Sequence, residues 1–328
     1  MRYRTVLLGL VLTIALTFGC KVVCGQAQPA DEGTHIVFII AEDEYDAART
    51  LPEFADELEA MYGFSCEILE GGDNSIPGIE ALENADLAVI YVRRQVLPPG
   101  QMKYLRDYVA SGKPVVGIRT ASHAFCLNEE RPPAGLEEWP EFDREVLGGN
   151  YHLHHGNKGD DGPFTYVWIK EDRKSHPILT GIPQGEFRVP SWLYKTSPLS
   201  DSATVLMMGR VADRKPYEPV AWTNIDTAGG RVFYASLGHP AEFKMRTFRR
   251  LLTNGIFWAL DKQVPSTEMI MDKLAEKIAG YDFGNSRRWL TFAEEMVLQT
   301  QNDADKSIMA GRLARLLESD TSFACKQW

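Results

Sequence analysis

The stretch LAVIYVRRQVLPPGQMKYLRDYVASGKPVVGIRTASH, residues 87–123, decides the fold. Two continuous apolar runs, Leu87–Val92 and Pro114–Ile118, have the length of strands that are buried on both faces. Between them a helical segment begins at Pro98 and ends before Gly112. A strand, a helix and a second strand joined by short connections are typical of a βαβ unit with parallel strands.

The same alternation continues on both sides of this stretch. Before it, the pattern predicts two strands and two helices: Ile36–Ile40, Arg49–Tyr62, Cys66–Leu69 and a weaker helix at Ile79–Ala85. After a long loop it predicts four short strands and a closing helix: Tyr166–Ile169, Thr204–Met208, Val220–Thr223, Val232–Ser236 and Lys244–Leu260. We therefore expect an α/β domain over residues 34–262, with a flavodoxin-like, doubly wound and mostly parallel sheet.

The sequence changes character at Pro265. No strand signal follows, and three amphipathic helices are predicted at Glu268–Ala279, Arg287–Thr300 and Asp305–Leu317. This helical segment, residues 266–328, resembles the start of a HEAT-like helical array, and a helical cap packed on the sheet domain is the alternative. In either arrangement it offers a surface for a protein partner or for self-association.

Composition limits the classes of function. The chain has 328 residues, 44% of them hydrophobic and 24% charged, which is ordinary for a soluble globular protein. Its formal net charge is −10, and no clustered basic stretch is present. A nucleic-acid partner is therefore not expected, because phosphate binding needs a concentrated basic surface.

The N-terminus has the pattern of an export signal. Arg2 and Arg4 precede the apolar run Val6–Phe18, which is short for a membrane span, and small residues allow cleavage after Ala27. We expect residues 1–27 to be a signal peptide and the protein to be periplasmic or extracellular. Acylation at Cys20 and an uncleaved anchor are the alternatives.

Three segments are expected to meet at one edge of the sheet. They are residues 117–123 after the fourth strand, residues 148–155 in the long loop and residues 236–242 after the last strand. In doubly wound sheets ligands bind beyond the carboxyl ends of the strands. The candidate site is therefore assembled from these three segments.

The first segment resembles the nucleophile elbow of class I amidotransferases, which carries a cysteine activated by a later histidine and acid. Here Arg119 or Thr120 occupies the elbow, and Cys126 lies too far along the chain. His239 and Glu242 look like the later histidine and acid. Thiol-based amidotransferase chemistry is not expected, because it requires a thiolate.

Two other chemistries remain open. Ser122 beside His123 could form a nucleophile pair, although the side chains of adjacent residues usually diverge. His152, His154 and His155 could bind zinc or a similar divalent metal, although neither a cysteine nor a carboxylate stands at a matching spacing nearby. Histidines in polar loops also contact substrate hydroxyls. No cofactor is predicted, and a divalent metal is kept as an alternative.

Four motifs carry a family resemblance. They are Gly148-Gly149-x-Tyr151-x-x-His154, His176-Pro177-Ile178-x-x-Gly181-Ile182-Pro183, Pro219-Val220-Ala221-Trp222-Thr223 and Gly230-Arg231-Val232-Phe233-Tyr234-x-Ser236-Leu237-Gly238-His239. Together they resemble the ThuA-like (trehalose utilisation) family of the class I glutamine amidotransferase-like superfamily. The resemblance covers about His35 to Leu260 and implies an amidotransferase-like fold and a role in sugar catabolism.

The chain departs from that family in two places. Many members have a histidine where Arg119 stands, and many have an Asp-Glu-x-Tyr segment where this chain has Ser191-Trp192-Leu193-Tyr194. No role of that acidic pair can be transferred to this chain. Arg119 could anchor an anionic or hydroxyl-rich ligand. The alternative is a structural ion pair at the sheet edge.

These observations give a set of predicted site residues. The acid–base candidates are His239, Glu242 and His123, and the substrate-binding candidates are Arg119, Ser122, His154, Trp192 and Tyr194. Aromatic faces suit sugar rings, and polar groups recognise their hydroxyls. We expect an exported protein that binds or converts a sugar or an oxidised sugar derivative. A non-catalytic glycan- or protein-binding module and a metal-dependent hydrolase are the alternatives.

Overall fold

The computed structural model describes residues 33–128, 131–156 and 164–279, together with the isolated positions 307 and 311. The strands are β1 (His35–Ala41), β2 (Ser65–Glu70), β3 (Leu87–Val92), β4 (Val115–Ile118), β5 (Leu153–His154), β6 (Thr165–Ile169), β7 (Phe187–Val189), β8 (Tyr194–Lys195), β9 (Thr204–Val211), β10 (Glu218–Ile225) and β11 (Arg231–Ala235). The α-helices are α1 (Ala47–Tyr62), α2 (Pro99–Ala110), α3 (Pro240–Phe243), α4 (Arg246–Ala259) and α5 (Thr267–Ala279).

A nine-stranded sheet forms the centre, in the order β2-β1-β3-β4-β11-β10-β9-β6-β7. The pairs from β2 to β11 are parallel, and those from β11 to β7 are antiparallel. The predicted doubly wound α/β fold is confirmed, and the sheet carries an antiparallel extension on one side. The carboxyl ends of β1, β3, β4 and β11 meet at one edge, as parallel strands require.

Apolar sequence explains why these strands are central. Every residue of β3 and β4 is buried, and so are all residues of β1 after His35. Helices α1 and α4 pack on one face of the sheet, whereas α2 packs on the other. A strand covered on both faces can bury every side chain, so these strands have continuous apolar sequences rather than alternating ones.

Helix α4 approaches β11 closely because of a glycine. A Cβ atom at Gly255 would lie 2.1 Å from a ring carbon of Phe233. The helix therefore places its backbone directly on this aromatic ring of the core.

One predicted helix has a different form. The segment predicted as a helix at Ile79–Ala85 is a short 3₁₀ helix, Ile79–Glu83, and Asn84 is its C-cap. Five residues are too few to establish α-helical periodicity.

The helical segment begins as predicted with α5, whose Ile270, Met271 and Leu274 are buried in the same apolar cluster as α1 and α4. The predicted helix at 287–300, the predicted signal peptide and, apart from the isolated positions 307 and 311, the predicted helix at 305–317 lie outside the described residues. Among the helices that the structure describes, none has both the length and the apolar character needed to span a membrane.

Candidate functional site

The turn after β4 has the geometry of a strained elbow, and it places Arg119 at its tip. Arg119 has φ +45°, in the left-handed region that disfavours residues with a side chain. Two hydrogen bonds to the Arg119 carbonyl stabilise the turn, one from the Tyr234 hydroxyl at 2.6 Å and one from the Ser122 hydroxyl at 3.2 Å. Strained backbone of this kind concentrates at functional sites. Of the two elbow candidates, Arg119 is the residue at the strained position.

A glycine lets this elbow approach the turn after β11. Gly238 has φ +148°, and a Cβ atom there would lie 2.9 Å from Ile118 Cγ2 and 3.1 Å from Arg119 Cβ. The carbonyl of Gly238 also accepts a hydrogen bond of 2.8 Å from the Tyr91 hydroxyl at the end of β3. Three neighbouring strand ends are thereby fixed to one another.

The side chain of Arg119 lies between two tyrosine rings. Its guanidinium carbon is 4.2 Å from the centre of the Tyr45 ring and 4.6 Å from that of Tyr194. One terminal nitrogen donates to the Ser236 carbonyl at 2.9 Å, and the other donates to the Tyr45 hydroxyl at 3.1 Å. Stacking on aromatic faces stabilises a guanidinium that has left bulk water.

The charge of Arg119 has no direct counter-charge among the described residues. The residue is 1% exposed, no described carboxylate lies within 4.0 Å of it, and its Nε has no hydrogen-bond partner. The alternative of a structural ion pair is therefore not supported. A buried cation without a paired anion is costly for the fold, which makes Arg119 a candidate for a functional role.

We refer to Arg93, Arg94 and Arg119, whose charges all act on His123, as the arginine cluster. His123 lies beside it and stacks on Tyr151. The two ring centres are 4.4 Å apart with an interplanar angle of 21°, and the Tyr194 ring centre is 6.0 Å from His123. Burial lowers the pKa of His123 well below its usual value, and the nearby Arg94, Arg93 and Arg119 lower it further. The imidazole is therefore neutral near pH 7.

The neighbouring serine contacts one of the two ring nitrogens of His123. Ser122 Oγ lies 3.3 Å from His123 Nδ1, so the expectation that these adjacent side chains diverge is wrong. The same hydroxyl can donate its single proton to the Arg119 carbonyl at 3.2 Å, and in that arrangement Nδ1–H donates to Ser122 Oγ. Nε2 then carries the lone pair of the neutral imidazole.

His239 and Glu242 cap the short helix α3. The Glu242 carboxylate is fully buried and accepts hydrogen bonds from Gly238 N at 2.5 Å, His239 N at 2.9 Å and both the Ser191 N and Oγ atoms at 2.9 and 2.8 Å. His239 Nδ1 accepts from Ala241 N at 3.2 Å, and its ring packs against Tyr45 with centres 6.4 Å apart. The structure thus brings His239 to the arginine cluster and places Glu242 behind it.

The long-loop histidines have separate surroundings. His154 pairs with Tyr194 in the small β5-β8 sheet, and its ring centre is 4.9 Å from that of Trp192. His155 Nε2 lies 3.4 Å from the buried Glu218, whereas His152 is exposed and bonds to the Asn150 carbonyl. Within the described residues no group of three His, Cys, Asp or Glu side chains is placed to hold a metal ion.

Sequence reasoning missed Tyr45 and Tyr91, which line the cluster. Tyr45 follows β1 and Tyr91 lies near the end of β3, and these positions are the signal that could have found them. Tyr151 also lines the cluster; it lies in the predicted segment 148–155 but was not among the individual candidates. Tyr45 is positioned by Glu42, whose carboxylate accepts the N–H groups of Glu44, Tyr45 and Ala47 at 2.7 to 2.9 Å. Burial raises the pKa of Glu42, and these backbone hydrogen bonds oppose the shift.

Tyr151 is supported from behind by a buried acid that was also missed. Asp143 Oδ2 accepts the Tyr151 N–H at 2.6 Å, whereas Oδ1 is buried without a partner. The approach requires Gly149, because a Cβ atom there would lie 2.2 Å from Asp143 Oδ1. Burial raises the pKa of Asp143 to about 7.

A depression of about 440 Å³ lies elsewhere, at the opposite end of β10. It is lined by Glu141, Arg144, Glu145, Ser200, Ser202, Ile225, Asp226 and Thr227. None of these residues contacts the arginine cluster, and we therefore place the candidate site at the carboxyl edge, where the strained elbow and the buried cation lie.

The protein has an α/β fold of the glutamine amidotransferase-like kind, and its elbow holds an arginine in place of a nucleophile. The chain belongs to the ThuA family, because the family model described as Trehalose utilisation matches residues 31–259. The crystal structure of a ThuA-like protein from Bacteroides uniformis has a similar fold, with a TM-score of 0.52 and 17% identity over 71% of this chain and 94% of that one. A ThuA-like protein from Parabacteroides merdae gives 0.48 and 16% over 71% and 92%. No curated protein matches the sequence.

Proposed function

We propose that this chain binds a sugar or an oxidised sugar derivative at the carboxyl edge of its sheet and converts it by proton transfer through His123. The observation that carries the proposal is the elbow: its tip holds Arg119 between Tyr45 and Tyr194 and offers no thiol. Aromatic faces beside fixed hydrogen-bonding groups suit a polyhydroxylated ring. The family description, Trehalose utilisation, supports the same class of ligand.

His123 is the residue best suited to move a proton. Its imidazole is neutral near pH 7, Nδ1 is engaged by Ser122, and Nε2 is available to accept a hydrogen bond or a proton from a substrate hydroxyl. His239, on the other side of Tyr45, is the second acid–base candidate. Arg119 contributes a fixed positive charge for an oxygen atom that gains negative charge during the reaction.

The test uses a panel of neutral, keto and acidic sugars, with product formation followed by NMR and binding followed by calorimetry. The substitution His123→Phe keeps a ring against Tyr151 but removes both nitrogens. We expect it to lower turnover by about 100-fold or more while binding changes less. The matched control is His35→Gln, at the amino end of β1 and outside the site. Equal turnover by wild type and His123→Phe would contradict the proposal.

A non-catalytic binding module is the second candidate, and one observation favours it. The Glu242 carboxylate is fully buried among donors from Gly238, His239 and Ser191, and His123 is only 6% exposed. This leaves fewer accessible acid–base groups than the sequence predicts. Binding of panel sugars without product from any of them would decide in favour of this candidate.

We also propose that the protein is exported, on the basis of Arg2, Arg4 and the apolar run Val6–Phe18. Expression with this N-terminus in a bacterial host should give a periplasmic protein that begins at Gln28. Mass spectrometry of the mature chain provides the measurement. An intact Met1, or a lipid on Cys20, would contradict cleavage after Ala27.

A further inference from the structure

Arg94 is a cation of the site that the proposed reaction does not use. It follows β3, and its backbone N–H donates to the His123 carbonyl at 3.0 Å, so its Cα lies next to the His123 segment. It has φ +50° and is half-buried. Its guanidinium makes no hydrogen bond or ion pair with the described residues. A half-buried arginine without a partner has lost part of its hydration without compensation.

The other two arginines of the cluster are engaged. Arg93 forms ion pairs with Glu44 at 2.7 Å and Asp43 at 3.5 Å. Arg119 is buried between its tyrosines and donates to Ser236 and Tyr45. Arg119 keeps one unpartnered donor, the buried Nε, whereas Arg94 is the arginine of this cluster whose side-chain donors all remain for a ligand.

Nearby carboxylates do not neutralise this guanidinium. Glu42 directs its oxygens to backbone N–H groups of its own turn, and Glu242 directs its oxygens to backbone N–H groups of its own turn and to Ser191. Asp43 and Glu44 form their ion pairs with Arg93. After burial, Arg94 is the largest cause of the lowered pKa of His123, and it also acts on Tyr151 and Cys126. Its charge therefore acts on the interior of the site, although the whole chain carries −10.

We propose that the ligand is an acidic sugar whose carboxylate is bound by the guanidinium of Arg94. The inference rests on the proposed function and narrows its substrate class from sugars in general to sugar acids. The planar guanidinium fork matches a carboxylate in two parallel hydrogen bonds, and such pairs are among the stronger ones in proteins. The ring hydroxyls of the same ligand would then face His123 and the tyrosines.

The experiment compares matched pairs by calorimetry: glucuronate with glucose, and galacturonate with galactose, with glucose 6-phosphate as a different anion. Wild type should bind each uronate at least tenfold more tightly than its neutral partner. Arg94→Gln should remove this preference, and Arg94→Lys should retain part of it, because lysine keeps the charge without the fork. The matched control is Arg214→Gln, an exposed arginine in the turn between β9 and β10, which should bind like wild type.

A second measurement, the NMR titration of the His123 ring, reports on the charge directly. Arg94→Gln, or a bound uronate, should raise the pKa of His123, whereas Arg214→Gln should leave it unchanged. Equal binding of neutral and acidic sugars by wild type would overturn this inference while leaving the proposed function intact. Tighter binding of glucose 6-phosphate than of either uronate would overturn the assignment of a carboxylate. Binding of none of these sugars would overturn both.

Discussion

Arg119 combines three properties that structural arginines seldom share. It occupies a strained elbow, it is almost fully buried, and no described carboxylate pairs with it. The sequence alone could locate the elbow, because an apolar strand followed by a turn has a clear pattern. It could not show the two tyrosine rings around Arg119, because Tyr45 and Tyr194 lie about 75 residues on either side of it. Contacts at that separation depend on topology.

The substitution Arg119→Met separates a binding role from a structural one. Methionine has a similar volume and removes a buried charge, so the lost hydrogen bonds and ring contacts are partly offset. We expect the free energy of unfolding to change by less than about 2 kcal/mol. Sugar binding should weaken by tenfold or more, because the positive charge and the hydrogen bond that holds Tyr45 in the site are lost. Urea unfolding and calorimetry measure the two quantities. A large loss of stability with unchanged binding would show that the arginine serves the fold.

Asp143 gives a pH dependence with a defined sign. Its pKa is raised from 3.8 to about 7 in the folded protein, so the folded state binds this proton more tightly than the unfolded state does. The stability that this proton contributes is complete below about pH 4 and is lost as pH rises through 7. Relative to Asp143→Asn, wild type should therefore lose up to about 4 kcal/mol between pH 4 and 8. Urea unfolding at several pH values, on both proteins, gives this difference. A constant difference across that range would contradict the assignment.

At the scale of elements, long apolar segments were predictable and short ones were not. Strand β3 was predicted with its observed ends, and β1, β4 and α4 within one or two residues. Strands β5, β7 and β8 have two or three residues each, too few for an alternating pattern. Strand β5 carries His154 and β8 carries Tyr194. The sequence could therefore identify these residues as candidates from their chemistry, but it could not predict where the strands place them.

The hydrogen bonds that cap helix α3 lead to a direct prediction. Four donors converge on Glu242, and three of them, Gly238 N, His239 N and Ser191 Oγ, share Oε2. In Glu242→Gln the amide nitrogen must face one set of donors, so at least one buried hydrogen bond is lost. We expect a loss of roughly 2 to 4 kcal/mol in the free energy of unfolding. Glu80→Gln, at an exposed 3₁₀ position, is the control and should have little effect. If Glu242 were instead the acid–base group predicted from the sequence, turnover would fall while stability stayed near wild type.

At the scale of the whole molecule, α5 decides how the helical segment relates to the sheet domain. Sequence reasoning left two arrangements open: the start of a helical array and a cap on the sheet domain. The first half of α5 buries Ile270, Met271 and Leu274 in the cluster that also contains α1 and α4. Arg250 of α4 also donates a hydrogen bond to the Pro265 carbonyl, just before α5. Up to Leu274, therefore, the described part of the segment packs as a cap. Whether residues 287–317 bind a partner or a second copy stays a prediction.

The substitution Leu274→Ala tests whether this packing makes α5 part of one cooperative unit. Leu274 is 1% exposed, so truncation should leave a cavity in the shared core and cost about 2 to 4 kcal/mol. Because the cluster is continuous with α1 and α4, the loss should shift the single unfolding transition seen by tryptophan fluorescence, in which Trp222 reports on the centre of the sheet.

The control is Glu268→Gln, on the exposed side of the first turn of α5, which should leave that transition in place. If Leu274→Ala instead created a separate early transition and left the fluorescence midpoint unchanged, α5 would belong to an independent helical unit. Sugar binding should be retained in both variants, since α5 packs beside α1 on the face of the sheet and the site lies at its carboxyl edge.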